Sequence, residues 1–350
     1  MNDAISSVGP QYLDEPIKTL MHSNNVPGLS VAISRDEHLV FAKGYGMADL
    51  RTGENVTPDH RFRIASVSKP VTAVAIMYLI QEQRFDDLLD RRVFGEDGVL
   101  GHAYGTPPYH NRVDAMTVRH LLHNTSGWTN DDEDPMFFTS PMSQKEIIDW
   151  MLDNREPAND PGTNYHYLNF GFCLLGRVIE RLTGLGYETF VRRVLAGCGI
   201  SGMEIGGSTQ AERKAGEVVY TDEAYELLPA RMDAHGGWIA SPIDLLRLAI
   251  HSDGLRSKSS ILLPDSTAEM LTPSAANPEY ALGWVVRNGR HGHDGGMPGT
   301  ASGLVRRGDG VTYAFAANSR PNHESFHNEL KAILDDVTTT SIEWTIHDLL

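Results

Sequence analysis

Only two cysteines, Cys173 and Cys198, occur in this chain of 350 residues. Cys173 lies in an apolar helical pattern and Cys198 in a glycine-rich turn, so both read as free thiols rather than a disulfide or a catalytic pair. No apolar run reaches the length of a membrane span, and residues 1–10 lack both the basic start and the apolar stretch of a secretory signal. The expectation from those two absences is a cytoplasmic protein with no membrane partner. Positive charge is scarce as well: 30 Lys and Arg stand against 46 Asp and Glu, a formal charge of −16 with no local basic patch to offset it. That argues against nucleic acid and anionic lipid and leaves small molecules as partners. There is no G-x-S-x-G, which removes the α/β-hydrolase elbow, and no internal repeat or low-complexity tract. Gly44-Tyr45-Gly46 looks like the start of a dinucleotide fingerprint, but Asp49 stands where the third glycine belongs and no helical pattern follows. Histidines cluster without making a metal site. His291 and His293 alternate along a strand with no matched set of further ligands, and His120 and His123 suit packing or capping. No metal or organic cofactor is expected.

What is present is the composition of an ordinary globular protein, 41% apolar and 22% charged, long enough for one large domain or two intimate ones. Residues 11–24 carry an amphipathic pattern, with Leu13, Ile17, Leu20 and Met21 on one side. Alternation of Leu29, Val31 and Ile33 with small polar residues, a turn at Arg35-Asp36-Glu37 and a second run from Leu39 to Tyr45 read as a hairpin. Helical patterns follow at 67–83, 117–123, 143–153, 168–182 and 186–195, joined from 85 onward by loops rich in Gly, Pro, Asp and Asn. Strands resume with Tyr280–Arg287, a turn at Asn288-Gly289 and a strand on or beside His293–Gly296. A hairpin of Ala301–Arg306 and Val311–Ala317 across Asp309-Gly310 comes next, and then a closing helix at 328–337. The resulting order is helix, two strands, helix, helical block, these late strands and helix. Such an order implies an antiparallel sheet with helices on its faces, its two halves pairing across the inserted block. The expected division is 1–84 with 236–350 as the sheet domain and 85–235 as a mostly helical insertion. Ile342, Trp344, Ile346, Leu349 and Leu350 suggest a docked tail.

The chemistry is carried by Ser66-Val67-Ser68-Lys69-Pro70 at the opening of the helix at 67–83. A serine and a lysine three apart share a helix face one turn apart, a nucleophile beside its base. The amine can accept a proton only where burial or a nearby cation lowers its pKa. Pro70 is tolerated in a first turn, and Ser66 sits near the positive end of the helix dipole, where its N–H can serve an oxyanion.

Two further stretches raise this motif above chance. Tyr165-His166-Tyr167-Leu168-Asn169 places a Tyr-x-Asn ahead of an apolar helix, and Gly292-His293-Asp294-Gly295-Gly296 lies on the late strand. Taken alone, Tyr167 is as well explained as a half-buried aromatic and Asn169 as a helix cap. Together, in this order and spacing, the three stretches resemble the serine β-lactamase and penicillin-binding protein superfamily, in its class C-like branch of esterases, D-stereospecific peptidases and acyltransferases. Residues 117–127, 240–245 and Leu282-Gly283-Trp284 add to the match over about residues 12–337.

The resemblance implies an α/β (α+β) fold of the β-lactamase/transpeptidase type, with the active site in the cleft between sheet and insertion. It implies Ser66 as acylated nucleophile, Lys69 and Tyr167 as the proton-handling pair, and Asn169 orienting Lys69 and substrate. The backbone N–H groups of Ser66 and Gly296 would form the oxyanion hole. His293 and Asp294 would line the substrate site, but there the chain departs from the family's Lys or His, then Thr or Ser, then Gly. An aspartate in the middle position would repel a substrate carboxylate by roughly a kcal/mol or more. That disfavours β-lactams and D-Ala-D-Ala peptides and favours neutral esters or amides, or an amine-bearing acceptor. In the other reading Asp294 points away and pairs with His291 or an arginine. Trp128, Phe137, Phe138, Tyr220 and Trp238 are candidates for an apolar acyl pocket. The function expected is a serine acyl-enzyme hydrolase acting on a small-molecule acyl donor. The alternatives are an acyltransferase using an amine or alcohol and, on the same fold, a non-catalytic sensor.

Overall fold

The computed structural model describes residues 13–131, 133–137, 141–254, 260–321, 323–339 and 344–347. Residues 11 and 12, Phe138, Ile342, Leu349 and Leu350, which figure in the expectations above, lie outside the described residues.

Chain order begins with α1 (Asp14–Ser23), β1 (Gly28–Arg35), β2 (His38–Asp49), β3 (Glu54–Asn55), β4 (Phe62–Arg63) and α2 (Ser68–Gln83). The helical block holds α3 (Asn111–Asp114), α4 (Val118–Leu122), α5 (Gln144–Asn154), α6 (Asn169–Thr183) and α7 (Tyr187–Gly197), with β5 (Glu204–Ile205) behind it. After β6 (Trp238–Ala240) come α8 (Pro242–His251), α9 (Pro264–Met270), β7 (Val285–Arg287), β8 (Arg290–Met297), β9 (Thr300–Arg307), β10 (Val311–Ala317) and α10 (His323–Thr339).

The main sheet runs β3-β2-β1-β10-β9-β8-β7. Its two halves meet where β1 pairs antiparallel with β10, from Leu29 opposite Ala317 to Arg35 opposite Val311, as the broken strand pattern requires. Period-two alternation sorts its side chains into two layers. Ala32, Leu304 and Ala314 join Val71, Leu174 and Leu245 on the side of α2, α8 and the helical block. Val31, Tyr313 and Phe315 join Ile17, Leu330 and Leu334 under α1 and α10. Helix α2 is apolar on all sides and is buried from Ser68 to Met77, which makes it the central post of the molecule.

Two departures from the sequence reading have local causes. The strand expected at Tyr280–Arg287 shrinks to Val285–Arg287. Gly283 takes φ +77° and turns the chain onto α2, where an added Cβ would lie 2.9 Å from Ala73 Cβ and 3.2 Å from Lys69 O. Helices α8 and α9 went unread; α8 is announced by the capping box of Ser241 and Asp244 with Pro242 in the first turn. In a second, small sheet β6 pairs with both β4 and β5, Trp238 lying opposite Ile205. Among the described tail residues, His347 exchanges backbone hydrogen bonds with Leu39 at 2.9 and 3.1 Å and Trp344 packs against the layer under α1 and α10.

Candidate active site

Ser66 occupies a single 3-10 turn, Ala65–Val67, that leads directly into α2. The residue before it, Ala65, has φ +45°, a left-handed backbone that is costly for a side chain with a Cβ. The sheet holds this turn in place. Ser302 Oγ on β9 donates to Ile64 O at 2.7 Å, and Thr300 Oγ1 donates to Arg63 O at 2.7 Å. Gly295 on β8 lets the strand close in, since a Cβ there would sit 2.3 Å from Ile64 O.

Lys69 is fully buried. Its Nζ lies 3.3 Å from Ser66 Oγ, 2.5 Å from Asn169 Oδ1 and 3.4 Å from the carbonyl of His235, and 4.5 Å above the ring of Tyr167. Burial lowers the amine to about 7, with the charge of Asp134 opposing the shift. Half-buried Tyr167 is pushed the other way: burial holds its phenol protonated, although a hydrogen bond with Ser66 pulls back. Burial therefore moves the two groups apart, the amine down toward neutrality and the phenol up.

The 117–127 stretch owes its place to Tyr167. After α4 the chain enters a left-handed turn at Asn124, whose carbonyl accepts from His166 N–H at 2.9 Å. Its Oδ1 accepts from Leu168 N–H at 3.1 Å, so the residues either side of Tyr167 are pinned. Asn169 opens α6.

The third motif divides by strand parity. His293 lies opposite Leu304, on the α2 side, 6.0 Å ring to ring from Tyr167; its Nδ1 faces the Asp294 carbonyl at 2.7 Å and its Nε2 the Tyr280 hydroxyl at 3.4 Å. Burial first, and then the neighbouring Lys69, lower it to about 4, so the imidazole is neutral. Asp294 lies opposite Gly303, whose own partner across β10 is Phe315 in the α10 layer. There its carboxylate takes Lys331 of α10 at 2.5 Å. The expected alternatives, His291 or an arginine, are corrected: His291 instead stacks edge-on against Trp284. Gly296 continues β8 opposite Ala301, one residue beyond the contact with Ile64.

Three of the five pocket candidates prove to be core. Trp238 is fully buried and donates its indole N–H to Tyr187 at 3.1 Å; Trp128 packs edge-on to Phe170 and donates to Arg155 O at 2.8 Å. Tyr220 accepts from Arg63 N–H at 2.7 Å and donates to Glu217 at 3.0 Å, bracing the strand before Ser66. An aromatic pattern does not tell a lining residue from a buried one. Phe137 is 38% exposed. Both cysteines are free and buried, their thiols raised to about 12. Among the described residues no group of His, Cys, Asp and Glu could hold a metal ion, and no helix is long and apolar enough to cross a membrane.

Asp134, which sequence reasoning passed over, stands behind Asn169 and accepts from its backbone N–H at 2.8 Å and its Nδ2 at 2.9 Å. Its only sequence signal is an acidic residue in a polar loop.

Comparison with known proteins agrees with this geometry. The family described as Beta-lactamase matches residues 13–338. The chain is 26% identical over 182 residues to Protein flp of Staphylococcus aureus, covering 52% of this chain and 35% of that protein, so it spans about a third of that relative's length. It is 23% identical to Penicillin-binding protein 4* of Bacillus subtilis, covering 92% and 74%. In fold it resembles the D-amino acid amidase of Ochrobactrum anthropi SV3, with a TM-score of 0.74 at 22% identity, covering 93% and 99%. With Ser66 in the turn that leads into the central helix, Lys69 in that helix's first turn, Tyr167 over the amine and β8 against the Ser66 turn, the chain belongs to the beta-lactamase family.

Proposed function

We propose that the protein is a serine acyl-enzyme hydrolase of the esterase or amidase type, acting on a small acyl donor that carries no carboxylate at the third motif. The observation that carries this reading is a fully buried Lys69, lowered to about 7, 3.3 Å from Ser66 Oγ. In that state the amine takes the Ser66 proton as Oγ attacks the carbonyl carbon. The carbonyl π pair becomes the oxyanion, held by the backbone N–H groups of Ser66 and Gly296. Collapse expels the alcohol or amine, which takes a proton through Tyr167, and water then repeats the sequence on the acyl-serine.

The substrate class follows from the third motif. Neutral His293 offers no cation, and the charge of Asp294 is already engaged by Lys331, so neither a carboxylate clamp nor an amine anchor is offered there. The pairing removes the reason for favouring an amine acceptor, and hydrolysis stays the first reading. Amides of D-amino acids lack a carboxylate, in keeping with the fold neighbour's name.

The test is intact-mass spectrometry after mixing with a short-chain p-nitrophenyl ester and, separately, D- and L-amino acid amides, with Ser66→Ala as control. A Ser66-dependent acyl adduct cleared by water supports the hydrolase. An adduct that persists until an added amine or alcohol removes it makes the protein an acyltransferase. No Ser66-dependent adduct or turnover with any donor overturns the enzyme reading.

A further inference from the structure

Asp134 precedes the short 3-10 helix Pro135–Phe137 and is nearly sealed from solvent. A carboxylate can only accept, and here all its bonds are from N–H donors: Oδ1 from Met136 N at 3.0 Å, Oδ2 from Asn169 N at 2.8 Å and from Asn169 Nδ2 at 2.9 Å. An asparagine amide has nearly the same shape when its oxygen and nitrogen exchange, so packing alone does not orient it. Asp134 breaks that symmetry. With Nδ2 drawn to the carboxylate, Oδ1 must face Lys69 Nζ, where it accepts at 2.5 Å. The reversed amide would set its NH2 against the lysine amine and its oxygen against the carboxylate, leaving two buried mismatches.

We propose that Asp134 is a positioning residue of the acylation machinery, locking the Asn169 amide so that it accepts from Lys69 and holds Nζ beside Ser66. The proposal rests on the acyl-enzyme reading for its catalytic meaning, but the lock itself is a property of the folded protein.

Every charged or titratable neighbour bears on how this is tested. Lys69 is faced by Ser66 from its own turn, by Tyr167 and Asn169 from the helical block, by His235 from the loop before β6, and by His293 from β8. Burial keeps both histidines neutral, so the carboxylate acting on the amine is Asp134, whose own pKa burial raises while the N–H donors of Asn169 and Met136 and the charge of Lys69 pull it back. Asp134 is also neighboured by the phenol of Tyr167 and the thiol of Cys173, which burial keeps protonated. Loss of the Asp134 charge and of the locked acceptor both disfavour the protonated amine, so the two effects move Lys69 in the same direction, downward.

The experiment titrates Lys69 directly through its 13Cε resonance, assigned by its disappearance in Lys69→Met, and follows the pH dependence of Ser66 acylation in parallel. In Asp134→Asn the Lys69 titration is expected to fall by at least about one pH unit, the acid limb of acylation to move with it, and the plateau rate to drop about tenfold or more. Asp134→Ser, which keeps an oxygen but no charge, must shift the same way and serves if the first variant does not fold. A folded variant whose Lys69 titrates where the wild type does overturns the proposal, even if activity falls, because a merely structural loss lowers the rate without moving the limb. If the titration shifts while the wild type never acylates Ser66, the lock stands and the acyl-enzyme reading fails.

Discussion

The two sides of the Ser66 cleft handle charge in opposite ways. On the helical-block side a carboxylate, an amide and the lysine are stacked in series inside the protein: Asp134 to Asn169 to Lys69, all buried. On the sheet side the acid of the third motif is sent to the far face and paired with Lys331 near solvent, and only the neutral His293 remains toward Lys69. The buried polar series around Lys69 therefore lies on the helical side, where burial lowers the amine. The sheet contributes backbone and shape. Burial at one and partial exposure at the other is what separates a tuned pair from an ordinary ion pair.

Lys69→Met breaks the contrast most severely. Acylation should fall by about three orders of magnitude or more, read as the rate of p-nitrophenol release. Stability should move the other way. The folded amine titrates at about 7 and the unfolded one at roughly 10.4, so between these values the unfolded chain binds more protons and wild-type stability rises with pH. The methionine variant should gain on the order of a few kcal/mol in urea unfolding at pH 7, a gain that vanishes as pH passes about 10.4. Tyr167→Phe comes next: about a hundredfold slower acylation, and more so for amides than for activated esters, because an amine leaving group needs the proton that a nitrophenolate does not. For Tyr220→Phe the expected change is in stability, about 1–2 kcal/mol from the orphaned Arg63 N–H and Glu217, measured by thermal unfolding. Asp294→Asn should have the smallest effect: a kcat/KM for neutral esters within about threefold of wild type and a stability loss below about 1 kcal/mol. A large loss in Asp294→Asn, or none in Tyr167→Phe, would reverse the division between the two sides.

How much of this was legible in the sequence follows from how local each signal is. Ser66 and Lys69 are one helical turn apart, so their juxtaposition is written in the spacing. Alternation at Leu29–Ile33 and 311–317 sufficed for β1 and β10, and their pairing followed from sheet closure. Tyr167 and Asn169 were readable by resemblance. The pocket aromatics were misread because Trp238 and Trp128 present the same pattern whether they line a cavity or fill one, and the buried partner of each comes from a distant segment. Asp134 had no pattern at all: its role depends on a loop meeting a residue 35 positions later.

By itself, then, the sequence determined the antiparallel sheet and the juxtaposition of Ser66 with Lys69, which rest on short-range periodicity and a three-residue spacing, while its three motifs in order carried the resemblance to the family. Tertiary structure alone decided how burial shifts Lys69 and Tyr167, which way Asp294 faces and what holds Asn169 in register. Those depend on burial, on strand parity against α10 and on contacts between segments far apart in the chain, quantities that no local pattern encodes.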